Sequence, residues 1–258
     1  MAKQTTIAAE ISLKGVGLHT GQEVSMTFKP APVNNGFTFV RVDLEGQPII
    51  EADANYVVNT QRGTNLEKLG VMIQTPEHVL AALVGCDLDN VIIELNASEL
   101  PIMDGSSKYF VEAIEKAGIV ELEAERKVYV VKDVISFMDE ATGSEITIIP
   151  SEEYCVTAMV DFGTKEISTE TMENLKKAFN KDTITVKENG ILDNLTLHYP
   201  NEAARHKLLD IIGDLSLIGT RIQGKVIANK PGHYVNTQFA KKMAKLIKIE
   251  ERNNEPSY

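Results

Sequence analysis

Two spacings of apolar residues alternate along this chain, and the switches between them mark out its elements. Apolar and polar side chains take turns through residues 24–28 and, less strictly, 37–42, which predicts half-buried strands. The unbroken apolar run within 90–95 predicts a fully buried strand. Helical spacing takes over in 76–84 and in 108–117, where Phe110, Val111 and Ile114 fall on one face. The second half repeats the scheme, with strands predicted at 128–131, 145–149, 155–160 and 225–228. Helices are predicted at 169–179, 200–215 and 236–247, followed by a charged, linker-like tail at 249–258. A Leu-Asp-Asn turn precedes a strand pattern twice, at Leu88-Asp89-Asn90 and Leu192-Asp193-Asn194, a faint internal echo.

The helix over 200–215 is apolar nearly all round, apart from one stripe. His206, Asp210, Gly213 and Asp214 sit at i, i+4, i+7 and i+8 and share a face. Burying an imidazole and two carboxylates on one side is costly without a compensating role. His and Asp four apart can hold one metal ion, provided a third ligand comes from elsewhere. Thr75-Pro76-Glu77-His78 supplies a candidate. Thr75 is expected as N-cap, Pro76 as first helical residue, and Glu77 and His78 as the exposed first turn. The helix dipole there favours an ionised Glu, as a general base requires, and a neutral His, as a metal requires. Two His and one Asp leave a fourth position for water, as in catalytic zinc sites.

The remaining composition narrows the class. A chain of 258 residues accommodates one large domain or two ordinary ones. Its formal net charge of −11 argues against a general nucleic-acid binder. No run of about eighteen apolar residues is present, and the start lacks a signal-peptide core, so a cytoplasmic location is expected. Cys86 and Cys155 lie in apolar contexts and are expected to be buried free thiols. The glycines at 15, 17 and 21 have the wrong spacing for a dinucleotide fingerprint, and Gly224-Lys225 lacks the rest of a P-loop.

With these motifs in view, the chain resembles the UDP-3-O-acyl-N-acetylglucosamine deacetylases, zinc amidases of the committed step of lipid A synthesis. The matching stretches run in order through most of the sequence: Gly15-Val16-Gly17-Leu18-His19-Thr20-Gly21, Thr60-Gln61-Arg62-Gly63-Thr64, Thr75-Pro76-Glu77-His78, Leu100-Pro101-Ile102-Met103-Asp104-Gly105-Ser106-Ser107, His206-Lys207-Leu208-Leu209-Asp210 and Gly232-His233. The resemblance implies an α+β fold of two α/β-sandwich domains of similar topology, in duplicated β-α-α-β layers, with the active site between them. It implies domains at 1–124 and 125–248. It implies Zn²⁺ on His78, His206 and Asp210, with Glu77 as general base. His233, after a flexible Lys230-Pro231-Gly232 turn, is then the acid that protonates the leaving amine, held protonated by Asp214. Lys207 is implied to bind a substrate oxygen or the developing oxyanion, and Leu18, His19 and Thr60 to meet the substrate. The substrate implied is UDP-3-O-acyl-N-acetylglucosamine, and the products are acetate and the free amine. Some relatives continue into a hydroxyacyl-carrier-protein dehydratase; no such domain is expected within this chain.

One departure stands out. The resemblance calls for an Arg-Thr-Phe run and a following helix between Phe162 and Ile167, yet Asp161-Phe162-Gly163-Thr164-Lys165 passes almost directly into Glu166-Ile167. Roughly forty to fifty residues of the second domain are expected to be missing, by a length estimate. Two alternatives to a full deacetylase follow: a zinc- and substrate-binding pseudoenzyme without turnover, and a zinc amidase for another acylated sugar.

Overall fold

A computed structural model describes residues 2–160, 199 and 201–254. Its first half runs β1 (Lys3–Ile7), β2 (Ile11–Val16), β3 (Glu23–Pro30), β4 (Phe37–Arg41), β5 (Ile49–Glu51), β6 (Val57–Asn59), β7 (Asn65–Lys68), β8 (Val71–Gln74), α1 (Glu77–Gly85), β9 (Val91–Leu95), α2 (Lys108–Ala117) and β10 (Ile119–Glu125). The second half runs β11 (Val128–Val130), β12 (Ile135–Asp139), β13 (Ser144–Ile149), β14 (Cys155–Met159), α3 (Glu202–Ser216), β15 (Arg221–Gln223), β16 (Lys225–Asn229) and α4 (His233–Asn254).

The two halves repeat one topology. The first main sheet has the order β2-β3-β9-β4-β5 and the second β12-β13-β16-β14. In each, two antiparallel pairs lead to a strand that follows a helix, and that strand pairs in parallel with an earlier one: β9 with β4, β16 with β14. By strand order the counterpart of β9 is β16, and the second copy of the Leu-Asp-Asn echo, at 192–194, lies outside the described residues.

Alternation drives both sheets into the same layered arrangement. In β3, Val24, Met26 and Phe28 are buried, and in β13 so are Ile146 and Ile148. Helices cover these inner faces: α2 lies on β2, α4 on β12 and β13, and α1 packs against α3 between the sheets. One continuous apolar core runs through all of these elements. The result is the expected α+β architecture, with helices between two sheets.

Four expectations need correction. The last helix begins at His233 and continues to Asn254, so residues 249–254 are helix rather than linker. Its polar end is anchored where the Tyr129 hydroxyl donates to Glu250 at 3.0 Å. Its start also comes before the expected 236, so His233 is the first helical residue. Thr75 is not a side-chain cap: the helix opens at Glu77 after Pro76, and the Thr75 hydroxyl turns instead to Glu99. Cys155 is exposed and Cys86 only partly buried; both are free, and Cys155 points outward because alternation in β14 buries its neighbours Val156 and Ala158 more deeply. The helix expected at 169–179 and the shortened stretch near 163–167 lie outside the described residues.

Candidate active site

The site forms where α1 and α3 cross. Gly213 makes this approach possible: a Cβ there would overlap the Glu77 carbonyl oxygen and come within 2.9 Å of the Glu77 Cα. The stripe foreseen on α3 thus faces the first turn of α1. Its deeper members Asp210 and Asp214 are buried, while His206 at its outer end stays 44% exposed. The first turn of α1 is buried as well, with Glu77 only 2% exposed, so the expected exposed helix end is instead a protein-enclosed one. The chain enters it through strained backbone. Thr75 has φ 56°, in the left-handed region that β-branched residues avoid, and its N–H donates to the Thr64 carbonyl at 2.9 Å.

His78, His206 and Asp210 offer ligand atoms that all lie within 4.8 Å of one another. Both imidazole Nε2 atoms face Asp210 Oδ1, at 3.7 Å from His78 and 3.6 Å from His206. That oxygen is buried and has no hydrogen-bond partner among the described residues. A buried acceptor without a donor costs free energy, and a cation among these three atoms would satisfy it. Burial alone would raise the Asp210 carboxyl. The His78 imidazole close by and the charges of His233, Lys207 and His206 outweigh it and hold the group well below the usual carboxylate range. Burial lowers the His206 imidazole, which favours the neutral, metal-binding form. Lys207 donates to Asp210 Oδ2 at 2.9 Å, so its ammonium sits at the rim of this group.

Beside the triad lies a second cluster. His233 Nδ1 is 2.9 Å from Asp214 Oδ2, and its Nε2 is 3.9 Å from both Glu77 Oε1 and Asp210 Oδ2. Burial pulls the imidazole pKa down, but the Asp214 carboxylate, helped by Glu77 and Asp210, raises it to about 9. Burial pushes Glu77 the other way from an exposed carboxyl, upward, and the dipole argument for easy ionisation does not prevail. A protonatable imidazole and a proton-accepting carboxyl therefore face the same small space.

Asp214 is fully buried and saturated. The Thr64 hydroxyl donates to its Oδ1 at 2.6 Å, and Asn236 Nδ2 to its Oδ2 at 3.0 Å. Neither Thr64 nor Asn236 stood out in the sequence. Thr64 closes the Thr60–Thr64 motif, and Asn236 lies i+3 from His233, the one spacing that could have singled it out. The candidate substrate contacts sit further out. His19 is exposed, and its ring Nε2 lies 3.0 Å from the Arg62 carbonyl, joining the glycine loop to the loop that carries Thr60. Buried Glu99 fixes that glycine loop by accepting from the His19 and Thr20 N–H groups. Leu18 is 39% exposed and Thr60 partly buried; among the described residues, neither hydrogen-bonds within the two clusters. A cavity of about 400 Å³ elsewhere between the halves is lined by Arg126, Arg221 and Lys248, and holds none of the candidate site residues.

Comparison with known proteins places the chain in a family. The family described as LpxC, UDP-3-O-acyl N-acetylglycosamine deacetylase, matches residues 4–182 and 172–245. The chain belongs to this deacetylase family. A bifunctional enzyme LpxC/FabZ of Bacteroides thetaiotaomicron is 39% identical over 305 positions, covering 97% of this chain and 66% of the relative. UDP-3-O-acyl-N-acetylglucosamine deacetylases of Myxococcus xanthus and Thermosynechococcus vestitus are 35% and 33% identical, covering 93% of this chain and 86% and 94% of their own lengths. The chain thus spans about two thirds of the bifunctional relatives and most of the single-function deacetylases. The 305 aligned positions exceed the 258 residues of the chain, so at least 47 positions there have no counterpart in it. No helix among the described residues is long and apolar enough to cross a membrane.

Proposed function

We propose that the protein hydrolyses the N-acetyl group of UDP-3-O-acyl-N-acetylglucosamine, releasing acetate and the free 2-amino sugar nucleotide of lipid A synthesis. His78, His206 and Asp210 are the residues that would hold Zn²⁺. The observation that carries this reading is the orphaned, buried Asp210 Oδ1 facing two imidazole nitrogens beside an acid–base pair. A zinc ion bound there supplies Lewis-acid polarisation of the acetamide carbonyl and an acidified water.

The chain's own groups do the rest. Glu77 accepts the proton of the attacking water; burial raises its affinity for that proton, which suits a base that must hold it through the step. His233, protonated on both ring nitrogens, donates from Nε2 to the departing amine nitrogen, while its Nδ1–H stays on Asp214. The Asp214 charge keeps this imidazole protonated near neutral pH. Lys207 can leave Asp210 for a substrate oxyanion, at the cost of one ion pair on a partly exposed rim. Leu18, His19 and Thr60 are candidate contacts for the remainder of the substrate.

A second reading rests on the positions that lack a counterpart: a chain short of them could bind zinc and substrate without turning over. Acetate release from the synthetic substrate by zinc-loaded protein separates the two. Stoichiometric release supports the deacetylase; tight substrate binding with no acetate supports the binding protein. Equal turnover of a substrate lacking the acyl chain would instead favour a zinc amidase for another sugar.

A further inference from the structure

We infer that Thr64 is a positioning residue that sets the proposed base and the proposed acid in one frame. The inference rests on the deacetylase reading. Thr64 is fully buried and uses each of its polar groups on the site. Its N–H donates to Glu77 Oε2 at 3.3 Å, its hydroxyl donates to Asp214 Oδ1 at 2.6 Å, and its carbonyl accepts from the Thr75 N–H at 2.9 Å. These three bonds reach the base, the carboxylate behind the acid, and the strained residue at the entry to α1. Glu77 stands on α1 and Asp214 on α3, so Thr64 ties the two crossing helices together at the reacting groups.

The hydroxyl has a particular task. A carboxylate can rotate about its last torsion and present either oxygen. The hydroxyl bond occupies Asp214 Oδ1 and leaves Oδ2 for His233 Nδ1 at 2.9 Å and Asn236 Nδ2 at 3.0 Å. Thr64 Oγ1 lies only 3.4 Å from His233 Nδ1, but its proton is committed to the carboxylate, so the ring's Nδ1–H goes to Asp214. With that bond set, Nε2 points to the space shared with Glu77 Oε1, at 3.9 Å. Removing the hydroxyl frees the carboxylate to turn and takes the imidazole out of line, while the metal-ligand set keeps all its atoms.

Two variants separate hydroxyl from shape. Thr64→Val keeps the branched volume and the backbone N–H; Thr64→Ser keeps the hydroxyl. Zinc content, kcat and KM are measured on zinc-loaded protein, together with the proton resonance of His233 Nδ1–H, assigned by its disappearance in His233→Gln. Thr64→Val is expected to lower kcat about ten- to a hundredfold, with zinc content unchanged and KM within about threefold. It should also displace or broaden the His233 resonance. Thr64→Ser should keep the resonance and most of kcat. Parental kcat and an undisplaced resonance in Thr64→Val would overturn the inference, as would a Thr64→Ser protein impaired as severely as Thr64→Val. If Thr64→Val does not fold, the Thr64→Ser comparison with Thr64→Ala decides by the same two readouts. If the parent releases no acetate, the deacetylase reading fails, and the resonance still judges whether Thr64 orients the ring.

Discussion

Gly213→Ala puts two opposing effects on one atom. Replacing a mid-helix glycine by alanine ordinarily stabilises by about 1 kcal/mol, through lower backbone entropy in the unfolded chain. At this position the new methyl meets the Glu77 backbone, with the carbonyl carbon at 2.7 Å and Cα at 2.9 Å. All of these atoms belong to the main chain of α1, so no rotamer change relieves the overlap. The two helices must move apart by roughly 1 Å, and overpacking of this kind costs about 1–3 kcal/mol, here toward the upper end. The net expectation is destabilisation by about 2 kcal/mol, and a melting temperature lower by about 4–8 °C for a chain of this size. The same movement separates His78 from His206 and Asp210, so zinc affinity falls together with stability. Differential scanning calorimetry of the metal-free protein and a competitive chelator titration measure the two effects. A variant that melts higher than the parent, as propensity alone demands, and binds zinc equally well would show that α1 and α3 do not need the glycine for their close approach.

Other expectations concern the two clusters directly. His206→Ala should abolish tight zinc binding, read by elemental analysis after dialysis; undiminished zinc would reject the ligand set. Glu77→Ala should keep its zinc and lose about a hundredfold or more in turnover, since a general base contributes on that scale. His233 titrates at about 9 in the folded protein, above an isolated imidazole, so its charge-linked stabilisation is complete at low pH and disappears as pH rises through that value. The rate should fall over the same range as the acid loses its proton. Asp214→Asn removes the charge that raises the pKa and should carry this basic limb to lower pH with zinc content unchanged; an unmoved limb in the pH–rate profile would show that another group is the acid.

Much of the site was legible because helical spacing is strict. The i, i+4 and i+8 positions of His206, Asp210 and Asp214 had to share a face, and α3 bears this out. The helix start after Thr75-Pro76 offered Glu77 and His78 as companions and the resemblance added His233, and the fold brings all six into two adjoining clusters. Burial was not legible. The first turn of α1 reads as an exposed helix end, but Gly213 lets α3 close over it, and desolvation then outweighs the dipole at Glu77. Thr64 was missed because its importance lies in contacts of long sequence separation, 150 residues to Asp214, which no local period reveals. The final helix ran past its expected end because a charged tail such as Glu250-Glu251-Arg252 is equally good helix surface once α4 has nucleated. The repeated strand order was implied by the resemblance and not by local pattern, since strand order is set by long-range pairing.

Under the proposed function, one chain carries both a metal triad and a working acid–base pair. Zinc content and acetate release from UDP-3-O-acyl-N-acetylglucosamine, measured on the same preparation, test it most directly. One zinc per chain and catalytic release of acetate are expected, with one free amine appearing for each acetate. Folded protein with one zinc per chain that releases no acetate would contradict it.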